Sequence, residues 1–349
     1  MTDNSNHGIG IVGAGLIIQH AHLPAYRDAG YRVAAITDVK ADLAAQVGSD
    51  WNIPVMDSIE QLVANPDVQI VDIAITPKDQ AAVVRMAIAA GKNVLAQKPL
   101  SLDLDVARAL AHEAQAAGVL LAVNQQMRFG PAVRAMRAAI DSGFVGDPVT
   151  LHYHVDIAGE YARDHWLSHE PRFMASFGTI HYVDSARYLF GEPESVTARL
   201  WSDPGQNSAG ETFINAWIEW PNGARLIAYE RYTNKVGPET SYMRLDGTRG
   251  TVRASLGIYD DYPNPKPDLI ERSSFAEPGW VDVSDGTTWL PDAFAGPMGG
   301  LIKATKDGGI PPTRAFDHLR NLEIVDAIYR SDAEKRTIQL PNLSAKELN

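Results

Sequence analysis

Three groups of residues in this chain have the types and spacing to do chemistry. The first is the segment GIGIVGAGLII, where Gly13 and Gly15 follow an apolar run directly. A Gly-x-Gly turn between a strand and a helix lets its first glycine make the tight bend. Its second lets the backbone approach a pyrophosphate, which rests on the N-terminus of the helix. Leu16 and Ile17 open that helix, and Ile18 stands where a third small residue would draw helix and strand together. Asp38, 23 positions after Gly15, could accept from both hydroxyls of an adenosine ribose. Such a carboxylate repels a 2′-phosphate and so favours NAD over NADP. Lys40 nearby would soften the preference, and a helix cap is the competing reading of Asp38. The second group is Lys98, just past the short run Asn93 to Ala96. Doubly wound sheets bind ligands at the carboxyl ends of their strands, although a lone loop lysine is often only solvated. The third group is made of histidines. His152, His154 and Asp156 alternate along one run and so share a strand face. Two imidazoles in that pattern can grip a metal, but with no third histidine nearby a polar pocket-lining face is favoured, and no metal is expected. His165, Trp166 and His169 offer an aromatic with flanking donors, suited to stacking on a sugar or to plain packing. His20 and His22 read as structural.

The elements that must position these residues follow a β-α rhythm in the first part of the chain. Gly8 to Val12 reads as a strand, 16–29 as a helix, and Tyr31 to Thr37 as a strand. Helices follow at Lys40 to Asp50, Asp79 to Ala90 and Asp103 to Ala117, with strands at Val68 to Thr76, Asn93 to Ala96 and Val119 to Val123. Short connections and nearly all-apolar runs predict a parallel sheet buried on both faces. After about Gly130 the texture changes. Helices are expected at Pro131 to Asp141, Ala175 to Phe190 and Thr313 to Arg330. Strands are expected at Val149 to Ile157, Ser195 to Trp201, Thr212 to Trp220 and Ala224 to Tyr232. Pro221-Asn222-Gly223 supplies a hairpin turn between the last two. Six prolines between 258 and 300 predict an irregular loop there. The expected fold is α/β: an N-terminal doubly wound parallel sheet over 1–127 and, over 128–349, an α+β domain with a large, mostly antiparallel open sheet.

Composition narrows the function. At 349 residues, with 45% hydrophobic and 21% charged side chains, the chain is an ordinary globular protein of about two domains. Its formal charge of −12 disfavours nucleic acid and anionic membranes as partners. It has no cysteine, which removes disulfides, zinc ribbons, iron–sulfur clusters and thiol nucleophiles. No run approaches the roughly 18 apolar residues of a membrane span, and the first residues lack a basic leader, so a cytoplasmic location is expected.

Four further stretches carry a resemblance: GAGLIIQHAHLPAY, ITPKDQ, AGKNVLAQKPLSLD and GTIHYVDSARYLFGEP, with QMRFGPAV and DGTRGTV in support. Together they resemble the Gfo/Idh/MocA oxidoreductases, relatives of glucose–fructose oxidoreductase and inositol dehydrogenase, along nearly the whole chain. The resemblance implies a Rossmann domain, a second domain whose sheet forms oligomers, and hydride transfer between a sugar or polyol and NAD or NADP. It places the family's Glu-Lys-Pro on Gln97-Lys98-Pro99, making Lys98 catalytic and Gln97 a cofactor contact without the usual charge. Thr76 and Pro77 match the loop over the adenosine-side phosphates and ribose, with Gln80 where a histidine is common. Gln126 and Arg128 match an Asn-x-Arg at the crossover, on cofactor and substrate respectively, with an interdomain hydrogen-bonding role the competing reading of either. His181 takes the catalytic histidine's place, and an imidazole with a reference pKa of about 6.5 can take a hydroxyl proton. Phe177 stands where the family's aspartate would be, and Asp184 could orient His181 from one turn on. Substrate contacts are thus expected from Lys98, Arg128, His154, Trp166 and His181. The leading expectation is an NAD(P)-dependent dehydrogenase or reductase of a sugar, sugar derivative or cyclitol. An NAD-dependent glycosidase working by oxidation, elimination and reduction is one alternative, and a non-catalytic sugar or dinucleotide sensor the other. Apolar side chains on both faces of the strands after Thr212 predict a homodimer or homotetramer through that sheet.

Overall fold

The structure, a computed structural model, describes residues 7–159, 162–234, 236–260 and 262–341. The chain forms two compact units. One is Met1–Gln126 with Leu290–Arg320; the other is Met127–Trp289 with Asn321–Asn349.

In the first unit, strands β1 (Ile9–Val12), β2 (Val33–Thr37), β3 (Ile70–Ile73), β4 (Asn93–Ala96) and β5 (Leu121–Val123) form a parallel sheet. Their order is β2-β1-β3-β4-β5. Every residue of β1, β3 and β5 is buried, which explains their near-continuous apolar sequences. Helices α1 (Leu23–Ala29), α2 (Ala41–Trp51), α3 (Ile59–Ala64), α4 (Pro77–Ala89) and α5 (Leu104–Ala117) connect the strands. Helix α3 was not expected. It is six residues long, and Ser58 caps it by accepting the Gln61 N–H.

The second unit is built on helices α6 (Pro131–Asp141) and α7 (Ile180–Phe190) and a nine-stranded sheet. Its strands are β6 (Pro148–Asp156), β7 (Ser195–Trp201), β8 (Phe213–Glu219), β9 (Arg225–Arg231), β10 (Thr240–Gly247) and β11 (Gly250–Ser255). Short strands β12 (Leu269–Ser274), β13 (Val281–Asp282) and β14 (Ile338–Gln339) complete it. The order is β13-β12-β11-β10-β6-β9-β8-β7-β14, and only the β6–β9 pairing is parallel. Strict alternation sends Leu151, Tyr153, Val155, Leu226 and Ala228 inward beneath α7. The expected hairpin is present, with Gly223 at φ 83° and its N–H donating to the Trp220 carbonyl.

Two parts of the expected loop at 258–300 are regular structure. Strand β12 pairs along its length with β11, because Pro263, Pro265 and Pro267 all precede its first residue. Helix α8 (Ala295–Asp307) was hidden by Gly299 and Gly300, which lower helical propensity. Packing demands the glycine at 300 and brings the Tyr31 side chain against the one at 299. A Cβ on Gly299 would stand 2.3 Å from the Tyr31 hydroxyl, and one on Gly300 2.6 Å from Pro312. Residues 290–320 therefore belong with the parallel sheet and not with the rest of 128–349. There the Val123 N–H donates to the Thr313 carbonyl, an edge bridge beside β5. The long α9 (Ala315–Glu334) follows. No helix among the described residues is long and apolar enough to cross a membrane.

Candidate active site

The glycine turn is shaped by contacts that no other residue would satisfy. Gly13 has φ 105°, and a Cβ there would lie 2.4 Å from the Ala74 carbonyl oxygen. A Cβ on Gly15 would meet nothing within 4 Å, so this side of the turn is open to a ligand. Leu16 is 67% exposed at the start of the helix and Ile17 is partly covered. Ile18 is fully buried and begins a π turn, Ile18–His22, a local widening of the helix at the third fingerprint position. Asp38 locks the turn to the end of β2: Oδ2 accepts the Ala14 N–H at 2.7 Å, and Oδ1 accepts the Lys40 N–H at 2.8 Å. A carboxylate has about four acceptor positions, so capacity remains for ribose hydroxyls.

At the carboxyl end of β4, Gln97-Lys98-Pro99 forms a tight turn with a cis Lys98–Pro99 bond. Gln80 lies beneath it, almost wholly buried on α4. Its Nε2 donates to the carbonyls of Gln97, Pro99 and Leu100 at 2.8, 2.9 and 3.1 Å. Gln80 is thus a strut for the lysine turn rather than a surface for cofactor, because it points into the core with Val83 and Val84. Leu100 N–H donates to His318 Nε2, which holds the turn from the other side. Thr76 precedes α4, donating to Asp79, and Pro77 is its first residue. Beyond β5, the buried Asn124 Oδ1 and Gln126 Oε1 have no hydrogen-bond partner among the described residues. An open glycine, an acidic residue at the end of β2 and orphaned amide oxygens beside the lysine turn fit a dinucleotide.

In the second unit His181 sits in the first turn of α7, 6% exposed, with Trp289 edge-on at 5.4 Å. A π turn, Ala175–Thr179, leads into α7 and is pinned by Glu211. Glu211 accepts the N–H groups of Ala175 and Phe173 and the Tyr329 hydroxyl. Burial pushes its carboxyl above the usual range, against the pull of those hydrogen bonds. Asp184, expected to orient His181, is gripped by Arg128 and Asn321. Its two oxygens take a bidentate Arg128, at 2.6 and 2.7 Å, and Oδ1 also accepts from Asn321 at 2.7 Å. A fully buried carboxylate needs a charged partner, and the guanidinium fork meets that need. Arg128, expected on the substrate, is accordingly engaged in holding α7.

Phe177 lies edge-on to the half-exposed Trp166, at 5.4 Å. The nearby carboxylate comes from elsewhere: Glu230 on β9 is fully buried, and its Oε2 lies 2.9 Å from where a Gly178 Cβ would be. Around it Tyr153 stacks on Tyr182, and the Tyr182, Tyr259 and Tyr232 hydroxyls form a chain at 3.3 and 3.5 Å. Burial, first of all, raises Tyr153, Tyr182 and Tyr259 well above a normal phenol. Sequence spacing gave no sign of this cluster, since its members come from different elements. His154 is on the opposite face of the sheet from Tyr153 and α7. It stacks between Tyr229 at 4.5 Å and Tyr242 at 5.2 Å, and burial lowers its pKa. The structure therefore separates His154 from His181. Among the described residues no group of three or more acidic or histidine side chains is placed to hold a metal ion.

Comparison with known proteins gives the family. Residues 7–125 match the oxidoreductase family model with an NAD-binding Rossmann fold, and residues 137–340 match its C-terminal α/β domain. A D-apiose dehydrogenase of Paraburkholderia graminis is 28% identical over 96% of this chain and 90% of its own length. An inositol 2-dehydrogenase of Gluconacetobacter diazotrophicus is 33% identical over 87% of this chain and 96% of its own. Among solved structures, an oxidoreductase from Agrobacterium radiobacter in complex with NAD+, L-tartaric acid and magnesium superposes with a TM-score of 0.84. It is 25% identical and covers 96% of this chain and 98% of its own. With both halves matched, this chain belongs to the Gfo/Idh/MocA family of NAD(P)-dependent oxidoreductases.

Proposed function

We propose that the protein oxidises a secondary hydroxyl, or reduces the matching ketone, on a sugar, sugar derivative or cyclitol, with NAD as the preferred cofactor. Gly13, Gly15, Leu16, Ile17, Asp38, Thr76 and Pro77 would hold the pyrophosphate and the adenosine side, with Gln97 and Gln126 toward the other half. When bound, the nicotinamide takes or returns the hydride. The chain's own part is the proton. Lys98 in the first unit and His181 in the second are the two groups assigned to it, with Trp166 a stacking surface for the sugar ring. The observation that carries this reading is the Lys98 turn. Gln80 and His318 tether a lysine at the carboxyl end of β4, a place where solvent contact alone would need no such support. The dehydrogenases of an apiose and an inositol named above support the substrate class.

The test is a panel of sugars and cyclitols read by NADH absorbance, with NADP in parallel, followed by Lys98→Met on the best substrate. Loss of a positioned proton-transfer group lowers the rate by about 10²–10⁴. NAD affinity should stay within a few fold. Near wild-type turnover in Lys98→Met would remove the lysine from the mechanism. His181→Asn, alone and combined with Lys98→Met, shows whether the two groups serve one step: if they do, the double variant loses less than the product of the single losses.

A further inference from the structure

Beneath the Lys98 turn lies a buried polar network that the chemistry above does not use. Asp72 interrupts the apolar strand β3 at zero exposure. Its Oδ2 accepts from the Tyr26 hydroxyl and from His22 Nδ1, both at 2.7 Å. Sequence reading made His22 structural; its surroundings give it more to do. A carboxylate only accepts, so Nδ1 carries a hydrogen. On the other side of the ring, Nε2 faces the Asn124 amide nitrogen at 3.2 Å and the Gln97 amide nitrogen at 3.4 Å. The orientation of Gln97 is fixed independently. Its Oε1 accepts the Lys98 backbone N–H at 2.9 Å, so its other end is an NH2 group and a donor. Amide donors aimed at Nε2 require a lone pair there. The pattern is the one that a ring with its single hydrogen on Nδ1 would satisfy.

We infer that His22 is a positioning residue for Lys98: its Nε2 orients the Gln97 amide, whose oxygen in turn holds the Lys98 N–H. The inference rests on the assignment of Lys98 to the reaction. Asp72 acts one step further back by fixing which ring nitrogen is protonated. The network also explains why an amide stands at 97. A carboxylate there would aim a second acceptor at the Nε2 lone pair, and the two would repel unless the ring took a proton. The titratable groups facing the ring are Asp72 from β3 and Tyr26 from α1; Asn124, Gln97 and Phe294, the last at 5.2 Å, are uncharged.

Nitrogen-15 NMR of the histidine rings in the full-length protein, without cofactor, reads the protonation directly, with His22→Gln identifying the signal. The expected result is a neutral Nδ1–H ring at neutral pH. In Gln97→Glu the added carboxylate favours the imidazolium, so the His22 ring should hold a second proton. kcat for that variant should fall as pH rises and the proton is lost, a limb absent from wild type and from Gln97→Glu combined with His22→Gln. An Nε2–H or doubly protonated ring in wild type overturns the inference. So does a Gln97→Glu ring that stays neutral, or a pH profile that the double variant shares. The ring state is read without turnover, so it stands apart from whether Lys98→Met abolishes activity.

Discussion

Asp268 shows how far burial, with a smaller push from the Asp285 charge, moves a carboxyl in this protein. Desolvation pushes it up to about 6, although the Gly257 and Ala132 N–H groups both donate to it. The unfolded value is about 3.9, so between pH 4 and 6 the folded state binds more protons than the unfolded one. Stability therefore falls as pH rises through that window and stays lower above it. Asp268→Asn keeps an acceptor for Gly257 and removes the charge. It is expected to be more stable than wild type at pH 7 by about 2–3 kcal/mol at most, with the gap closing near pH 4. Urea titrations at the two pH values measure it, and an unchanged gap would show that the carboxyl is not the source. At Asp38 the expected effect is on selectivity: Asp38→Ala should weaken NAD more than NADP. An unaltered ratio of the two dissociation constants would mean that the carboxylate only locks the Ala14 loop. The positions of Asp38, Gly13 and Lys98 were legible in the sequence because each stands just past a strand end, in a turn that the strand run and its glycine or proline mark. The core position of Gln80, the partner of Arg128 and the presence of Glu230 could not be read because the contacts are distant. Gln80 reaches carbonyls 17–20 residues away, and Arg128 a carboxylate 56 away.

At the scale of elements, α7 depends on two buried ionic knots. Arg128 and Asn321 hold Asp184, and Arg187 bonds both Glu192 and the Asn321 amide oxygen. Removing one partner of a buried pair leaves the other charge desolvated, which costs about 3–5 kcal/mol. Arg128→Ala should therefore destabilise the fold by about 3 kcal/mol, with a lower Tm. Arg128→Ala with Asp184→Asn should recover part of the loss, because no buried charge is stranded. A variant with wild-type Tm and a raised substrate KM would instead return Arg128 to the substrate. Periodicity showed where most strands and helices lie, since a buried parallel strand and an amphipathic helix each leave a repeating mark. It failed at α8 and β12, where glycine and proline read as loop residues. There the decisive facts are the closeness of Tyr31 to Gly299 and the position of the prolines just outside the strand.

The whole molecule carries a formal charge of −12, yet one face of its larger sheet is aromatic. Tyr242, His154, Tyr229, Phe213 and Trp201 form an unbroken row of ring contacts across β10, β6, β9, β8 and β7, five adjacent strands. Trp217 adds to it, and Trp201, Trp217 and Tyr242 are each about 40% exposed. We propose that copies of this chain pair through this connected aromatic face as a dimer or tetramer. Sedimentation should then give a multiple of 38.0 kDa for the wild type. Trp201→Asp with Tyr242→Asp, at the two half-exposed ends of the row, should sediment as a single 38.0 kDa chain with an unchanged circular dichroism spectrum. Salt separates the forces. The protomers repel through their net charge, and roughly 0.15 M salt screens charges beyond about 8 Å. Apolar pairing should therefore tighten as salt is raised. Association that weakens with salt would mean that ion pairs, such as those of Arg231 and Arg244 at the margins of the row, hold the copies together instead. A wild type that stays at 38.0 kDa across micromolar concentrations would end the proposal.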